Sequence, residues 1–370
     1  MKLRFLILLG CSIHAAQGIT LDAALQRTIE NNFAIRQAKA QLEAAAGRRL
    51  VLRARTLPDA RVNVPVGVQG GKRAGENTVQ PFAFGSGGVT QPFFDMAFFP
   101  SRRRGEIEVL LAQQRLNMTV MEQLHTARIA FYTAVYNGSL DMVAEEQRRR
   151  LQGNLKAQSD RLEAGKSDRA AVSSARILDQ ELPPRLEEMR RSRSGALLQL
   201  AQCMGENVGN NSLPTVDGEL QFADVDFDVE DAAKAALQSR PDLQLARLLV
   251  RAAAEDQRII EAAYYPAVAA TVSGTYIPAT DIHRGSSGTA RPSDDIVSSE
   301  LRMGGVYTWR VIDNGEVGGA VLRQKSIREM NELVVQRMEA NVPRELTRIH
   351  NNLLALRARH NALTGATANA

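Results

Sequence analysis

The sequence predicts a mainly α-helical chain in which one unit, a long helix, a β-hairpin and a second long helix, occurs twice. The segment from Leu21 to Val68 returns without a gap 208 residues later, so that Asp22 matches Glu230 and Pro58 matches Pro266. In both copies, apolar residues recur at helical spacing and then give way to alternation along a strand. An internal repeat of this length decides the architecture of the whole chain.

Composition favours long helices and argues against several functional classes. The chain has a formal charge of +5 and only 5% aromatic residues. The basic runs at residues 102–104 and 148–150 lie in mixed-sign helical stretches without aromatic residues between them, which indicates solvated helix faces and no nucleic-acid partner. The five histidines are scattered, and no metal-ligand or nucleophile spacing occurs. We therefore expect no enzyme activity, no metal and no cofactor.

The N-terminus has the pattern of an export signal. Two basic residues precede a short apolar run, and small residues follow up to Gly18. The run is shorter than the roughly 20 apolar residues of a membrane-spanning helix, so we interpret residues 1–18 as a signal peptide. A second interpretation stays open, because the sequence around Cys11 resembles a bacterial lipobox in which this cysteine is acylated. Cys203 then has no disulfide partner, and we expect it to be a small buried apolar residue.

The first repeat, residues 19–204, opens with two helices and a β-hairpin. One helix starts at Thr20, and a second runs from Phe33 until Pro58 ends it. Valines then alternate with polar or small residues, which is the pattern of a strand with one apolar face. The predicted strands are residues 58–70 and 82–94.

A helical hairpin over residues 101–204 completes this repeat. Gly165 has the character of the residue that follows a helix end, and Asp168 that of the next N-cap, so we place the turn between the two helices here. Pro183 and Pro184 are expected to kink or break the returning helix.

A polar linker, residues 205–228, precedes the second repeat, residues 229–370. Its predicted elements are strands at 266–277 and 299–311, a polar loop at 278–295 and a helix at 316–360. The turn at Gly165 should recur near position 383, since the segments after the hairpins align at an offset of 218, but the sequence ends at Ala370. We therefore expect a C-terminal truncation that removes the second helical turn and its returning helix.

The two hairpins together provide four strands with one apolar and one polar face. Such strands suit an outer-membrane barrel, where one face meets lipid and the other meets water. A barrel must close, because an open sheet edge cannot lie in lipid, and four strands are too few. We therefore predict that three chains together form a barrel of twelve strands.

At this point the chain resembles the outer-membrane efflux protein family, the TolC-like outer-membrane factors. The resemblance extends over nearly everything after the signal, and it depends on the order of short motifs along the chain together with the duplication. The residues that carry it are Ile19 to Leu25, Asn31 and Asn32, Leu57 and Pro58, Gln91 to Asp95, Leu162 to Lys166, Arg240 to Leu243, Tyr265 and Pro266, Trp309, and Val311 to Gly315.

The resemblance implies a homotrimer in the cell outer membrane, with a twelve-stranded β-barrel and a long α-helical coiled-coil tunnel in the periplasm. It implies a passive exit duct for small molecules or proteins in a tripartite efflux or type I secretion system. The implied partners are outer-membrane lipid, a periplasmic adaptor (membrane fusion) protein and an inner-membrane pump. Two other interpretations are a soluble periplasmic coiled-coil scaffold or adaptor and a non-functional truncated remnant of such a channel.

The resemblance and the alternation together assign candidate site residues. The hairpin tip is expected to meet the adaptor, polar residues of the last strand to line the lumen, and its aromatic residues to lie at the membrane interface. The tip is Arg161, Leu162, Glu163, Ala164, Gly165, Lys166, Ser167 and Asp168; the lumen residues are Glu300, Arg302 and Arg310; the interfacial aromatic residues are Tyr307 and Trp309; and the lipidation site is Cys11.

Overall fold

The computed structural model describes residues 18–73, 76–207, 213–276 and 299–369. The predicted signal peptide apart from Gly18, the lipidation site Cys11 and the predicted loop at 278–295 lie outside the described residues. The helices are α1 (Leu21–Asn31), α2 (Phe33–Ala54), α3 (Phe98–Glu163), α4 (Arg169–Cys203), α5 (Val229–Ser239), α6 (Pro241–Glu261) and α7 (Glu316–Asn369). The strands are β1 (Asp59–Asn63), β2 (Val66–Arg73), β3 (Glu76–Ala83), β4 (Gly85–Phe94), β5 (Ala267–Tyr276) and β6 (Ser299–Thr308).

The duplication predicted from the sequence is confirmed in the backbone. Helices α1 and α5 have the same length and start 208 residues apart, as do the starts of α2 and α6. The break between each pair of helices has nearly the same conformation, with φ −57° and ψ 128° at Asn32 and φ −62° and ψ 120° at Arg240. Both repeats are therefore interrupted after their first helix at matching positions. The residue at the interruption is Asn32 in the first repeat and Arg240 in the second.

The predicted capping of the first helices and of the hairpin is confirmed. The Thr20 hydroxyl accepts a hydrogen bond from the Ala23 N–H at 3.4 Å and caps α1. The Asp168 carboxylate accepts one from the Ala170 N–H at 3.2 Å and caps α4. Gly165 has φ +70°, the left-handed conformation that ends a helix at little cost only for glycine.

Of the expected kink or break at Pro183 and Pro184, the break is wrong, because α4 continues through both residues. Leu182 and Leu186 are buried against Ala144 of α3 on either side of the pair, and this packing holds the helical path despite the lost backbone hydrogen bonds. Helix α7 likewise contains Pro343 and continues to Asn369, beyond the predicted end at residue 360.

Three predicted strand boundaries need correction. The first predicted strand is divided into β1 and β2 around Pro65, which has no N–H for a sheet ladder. The return strand is divided into β3 and β4 at Phe84, whose N–H donates to the Pro65 carbonyl at 3.3 Å. The last strand ends at Thr308 and not at residue 311, so that Trp309 and Arg310 follow the strand.

The strands form two antiparallel sheets. The larger has the order β1-β4-β5-β6, so that a strand of the first repeat, β4, pairs directly with a strand of the second, β5. Strands β2 and β3 form a separate two-stranded sheet. A register shift between Pro92 and Phe94 leaves Phe93 as a bulge at the end of β4.

The chain divides into two compact units that do not coincide with the two repeats. One contains the described residues within 1–41, 115–228 and 349–370; the other contains 42–114 and 229–348. The core of the first unit joins buried apolar residues of α1, α3 and α4, among them Ala24, Ala130 and Leu200. The core of the second packs Ile107 and Leu111 of α3 against α6.

The segment predicted as a linker is bound to its own unit. The Ile19 N–H donates to the Thr215 carbonyl at 2.7 Å, and the Asp217 N–H donates to the Ile19 carbonyl at 3.0 Å. Further along, Phe222 stacks on His360 of α7 with ring centroids 3.8 Å apart. The described part of this segment after residue 212 therefore pairs with the N-terminus and makes an aromatic contact with the last helix.

Candidate functional site

The four-stranded sheet separates apolar from polar side chains. Residues opposite each other in an antiparallel pair share a face. Val89 of β4 lies opposite Val272 of β5, which lies opposite Met303 of β6. By the same register, the first face is mainly apolar and contains Ala60, Val62, Val89, Val268, Ala270, Val272, Leu301, Met303 and Tyr307, together with the polar Gln91 and Ser299. The second is mainly polar and contains Asp59, Arg61, Ser86, Thr90, Thr271, Ser273, Thr275, Glu300, Arg302 and Thr308, together with the apolar Pro92, Ala267, Ala269 and Val306. These are called the apolar face and the polar face.

Two ion pairs lie on the polar face, each within one strand. The Arg302 guanidinium donates to both carboxylate oxygens of Glu300, at 2.6 and 2.9 Å. Arg61 pairs with Asp59 at 2.8 Å on the opposite outer strand. Since all four side chains share one face, the polar face has charged groups of both signs at both outer strands.

Arg310 does not join this group, because β6 has ended two residues earlier. Its guanidinium donates instead to Glu316 in the first turn of α7, at 2.8 Å. The start of α7 is capped by Asp313, whose carboxylate accepts from the Gly315 and Val317 N–H groups. The structure thus brings Glu300 and Arg302 together and places Arg310 at the junction between sheet and helix.

Aromatic residues mark the end of the apolar face nearest the helices. Phe94, Val268 and Tyr307 form one cross-strand row in the register of β4, β5 and β6. The Trp309 indole N–H donates to the Tyr264 carbonyl at 3.2 Å, which holds the ring beside this row. Tyr307 is 63% exposed and Trp309 51% exposed, so both rings are accessible at this end of the sheet.

The outer strands of the sheet have unpaired edges. Within the described residues, β1 and β6 each have one neighbouring strand in the four-stranded sheet. Such edges present free N–H and C=O groups that can pair with another chain. The sheet therefore has two faces of different polarity and two edges able to extend it.

Below the sheet, α3 is tied to α2 and α6 by charged side chains. Arg104 donates to Glu108 at 2.6 Å and to Asp256 at 2.9 Å, and Arg48 pairs with Glu108 at 2.9 Å. Burial acts to raise the pKa of Glu108, but hydrogen bonds and attraction from the two arginines outweigh it and lower that pKa. The ionised Glu108 carboxylate thus contributes to the contacts between α2 and α3.

Arg240 is the centre of a second cluster of charged side chains that connects helices. This role was not identified from the sequence. The Arg240 guanidinium donates to both oxygens of Asp242, at 3.1 and 2.7 Å, and to Glu345 of α7 at 2.7 Å. The hydrogen bond from Arg240 lowers the pKa of Asp242, against the opposing effect of burial. The motif from Arg240 to Leu243 contains both Arg240 and Asp242, so their ion pair could have been predicted. Glu345, the partner in α7, is 105 residues from Arg240 in sequence and could not.

The predicted hairpin tip is a capped turn with an exposed surface. The Gly165 N–H donates to the Leu162 carbonyl at 3.0 Å and the Lys166 N–H to the Arg161 carbonyl at 2.8 Å, which is the pattern of a helix ending in a left-handed glycine. The Ser167 hydroxyl bonds to Gln158 at 3.1 Å and ties the turn to α3. Six of its eight residues are exposed, and only Leu162 and Ser167 are half-buried.

In the described ranges, no cluster of three or more His, Cys, Asp or Glu residues could bind a metal ion. Cys203 is buried in the core of α1, α3 and α4, and burial raises the pKa of its thiol.

None of the described helices is both long and apolar enough to cross a membrane.

Comparison with known proteins gives one family and one fold. A family model described as outer membrane efflux protein matches residues 24–206. The chain is similar in fold to the outer membrane protein VceC from Vibrio cholerae, with a TM-score of 0.75 and 15% identity over 94% of this chain and 82% of that chain. No curated protein matches the chain in sequence.

Two further solved structures have the same fold. The CmeC outer membrane channel of Campylobacter jejuni has a TM-score of 0.74 and 13% identity, over 94% of this chain and 73% of that chain. The MtrE outer membrane channel of Neisseria gonorrhoeae in its open state has a TM-score of 0.64 and 16% identity, over 94% and 75%. The predicted mainly helical fold with paired hairpins is thereby confirmed.

Proposed function

Because a model of the outer membrane efflux protein family matches residues 24–206 and the fold is that of solved outer-membrane channels, we propose that the chain forms the outer-membrane exit duct of a tripartite efflux or type I secretion system. In this proposal the duct is passive and acts on small molecules or proteins delivered by an inner-membrane pump. Three copies close a barrel of twelve strands in the outer membrane, and their helices form a tunnel in the periplasm. The chain carries out no catalytic step, since the partner supplies the energy.

The observation that carries the proposal is the four-stranded sheet with one apolar and one polar face. An apolar face of valines, leucine and methionine would be costly in water but is suited to lipid, while the polar face is suited to a water-filled lumen. The unpaired edges of β1 and β6 would be costly in lipid unless another chain covers them. Pairing of β6 with β1 of the next copy satisfies both edges and closes the barrel.

Within this barrel, the ion pair of Glu300 and Arg302 would line the lumen, with Arg310 at the entrance from the helical tunnel. Three copies would repeat this balanced pair around the lumen. Tyr307 and Trp309 would lie at the level of the lipid headgroups, where an aromatic ring with a polar group is favoured.

The hairpin tip, Arg161 to Asp168, is the proposed docking site for the periplasmic adaptor. Support comes from its exposure and from the fixed turn at Gly165, which presents charged side chains at little cost in conformational entropy. A photo-crosslinking residue at Lys166 should capture the adaptor in cells, whereas the same residue at the exposed Lys39 of α2 should not. Equal capture at both positions would remove the tip as the docking site.

The decisive experiment is the native mass of the protein extracted from isolated outer membranes in mild detergent. A trimer supports the duct and indicates that the edges of β1 and β6 are closed by neighbouring copies. A monomer in the soluble periplasm would support a scaffold instead, and absence of any stable protein would support a non-functional remnant. Either of these two results would overturn the proposed function.

A further inference from the structure

Where the sheet meets the helices, an open cleft combines aromatic and charged side chains. It has a volume of about 520 Å³, within the range of small-molecule sites. One wall is the turn from β4 into α3, and the other is the end of α6 together with Tyr265, which lies shortly before β5. The residues that line the cleft include Phe94, Phe99, Arg103, Arg258, Glu261 and Asp95.

The apolar part of the cleft continues the apolar face of the sheet. Phe94 stands opposite Val268 in register and therefore belongs to both surfaces. Phe99, at the start of α3, is 73% exposed, and the bulged Phe93 is 68% exposed. An apolar chain that lies along Val272, Ala270 and Val268 of β5 would thus reach the cleft at Phe94.

The cationic part is formed by two arginines that share one buried carboxylate. Arg103 and Arg258 both donate to the same oxygen of Glu255, at 3.0 and 2.6 Å. Each guanidinium has five N–H donors, and the two side chains remain 48% and 55% exposed. Glu255 therefore fixes the position of both groups while donors on each remain open to the cleft.

The anionic part is formed by Glu261 and Asp95, each with one oxygen engaged. Glu261 accepts from the Gln257 amide at 2.7 Å, and Asp95 accepts from the Ala97 N–H at 2.7 Å. Charges of both signs thus line one cleft that opens onto an apolar surface. A purely anionic headgroup would meet the two carboxylates, whereas a zwitterionic one with a primary ammonium satisfies both pairs of side chains.

We propose that this cleft binds one phospholipid with a zwitterionic headgroup that carries a primary ammonium. The phosphate is bound by Arg103 and Arg258, the ammonium by Glu261 and Asp95, and the acyl chains lie on Phe94, Phe99 and the apolar face. The inference rests on the proposed function, since it requires the apolar face to meet lipid. Its role is to fix the depth of the sheet–helix junction at the membrane surface.

The test uses the full chain, reconstituted in phosphatidylcholine vesicles that contain equal amounts of phosphatidylethanolamine and phosphatidylglycerol. Lipid that stays bound after detergent extraction is identified by native mass spectrometry. We expect phosphatidylethanolamine to be retained over phosphatidylglycerol by about tenfold, which corresponds to one charge-assisted hydrogen bond. Equal retention of the two lipids, or retention of neither, would overturn the proposal.

Three variants locate the site. Arg103→Gln combined with Arg258→Gln should abolish the retention, and Glu261→Gln should remove the preference between the two lipids. Phe99→Ala, which changes only an exposed ring, should weaken retention even where the arginine variant folds poorly. Arg102→Gln is the matched control, because Arg102 precedes Arg103, pairs with Glu106 and does not line the cleft.

Oligomeric state distinguishes failure of this inference from failure of the proposed function. A trimer in outer membranes that retains no phosphatidylethanolamine contradicts only the lipid site. Loss of the trimer in Phe99→Ala would mean that a second copy of the chain occupies the cleft. A protein that never reaches the outer membrane contradicts the proposed function itself.

Discussion

The side-chain amide of Asn32 donates a hydrogen bond to the carbonyl oxygen of Cys203 at 2.8 Å and another to the side chain of Gln123 at 2.9 Å. Its own carbonyl oxygen accepts from the N–H groups of Ala34 and Ile35. The buried Asn32 side chain thus caps α2. It also connects the segment between α1 and α2 to α3 through Gln123 and to the end of α4 through Cys203.

Replacing Asn32 by alanine should therefore destabilise the unit that contains α1, α3 and α4. The cap is lost and the Cys203 carbonyl loses a buried donor, which together cost about 3 kcal/mol. The measurement is the loss of helical circular dichroism on heating in detergent. Asn31→Ala is the matched control, because Asn31 is exposed, and its effect should stay within about 0.5 kcal/mol. Equal effects of the two substitutions would contradict this role of Asn32.

Two glycines with the same backbone conformation should respond differently to alanine. Gly165 and Gly205 have φ of +70° and +68°. A Cβ on Gly165 would meet no atom within 4 Å, so Gly165→Ala should cost only the left-handed strain of about 1–2 kcal/mol. A Cβ on Gly205 would lie 2.9 Å from the carbonyl carbon of Asn31 and closer still to its oxygen, so Gly205→Ala should cost about 3 kcal/mol or more.

Thermal unfolding of the two glycine variants, measured side by side, checks this difference. If they lost the same stability, the close approach of Asn31 to Gly205 would not be a feature of the folded protein in solution. Gly165→Ala also tests the docking proposal. It changes the backbone of the tip without changing any charged side chain, and so separates the effect of the turn from that of the charges.

The sequence was sufficient for features that depend on local chemistry and on the repeat. The helix starts at Leu21 and Val229, the left-handed glycine at Gly165 and the cap at Asp168 follow from residue type and spacing. The alternation also predicted which side chains of β5 and β6 share a face, as the register confirms for Val272 and Met303. These features need no knowledge of what packs against them.

Features that depend on distant partners could not be read from the sequence. The continuity of α4 through Pro183 and Pro184 depends on packing against α3, whereas propensity alone predicted a kink or a break. The pairing of β4 with β5 joins residues about 180 positions apart, which no local pattern encodes. The ion pair between Arg240 and Glu345 is invisible for the same reason.

Acid should weaken the attachment of α7 through Asp242. Because the hydrogen bond from Arg240 lowers the pKa of Asp242 on folding, the ionised carboxylate stabilises the folded state. This contribution is complete above the unfolded pKa, about 3.9, and is lost as the pH falls through the lower pKa of the folded state.

Melting curves of the wild type and of Asp242→Asn from neutral pH downward test this sign. The wild type should be more stable at neutral pH, and the two should converge as the pH falls below about 4. Asp226→Asn, at an exposed position in the segment after α4, should stay close to the wild type throughout. A difference between wild type and Asp242→Asn that grows in acid would contradict the predicted sign.

Adjacent residues of β5 provide the sharpest test of the membrane proposal. Val272 belongs to the apolar face and Thr271 to the polar face, although they are neighbours in one strand. If the apolar face meets lipid, Val272→Arg places a charge in hydrocarbon at a cost of about 2–4 kcal/mol, while Thr271→Arg places the same charge in a water-filled lumen.

The measurement is the fraction of trimer in isolated outer membranes. Val272→Arg should lower it strongly, and Thr271→Arg should leave it near the wild-type level. The reverse order would mean that the polar face meets lipid, and equal, small effects would mean that the sheet does not enter the membrane.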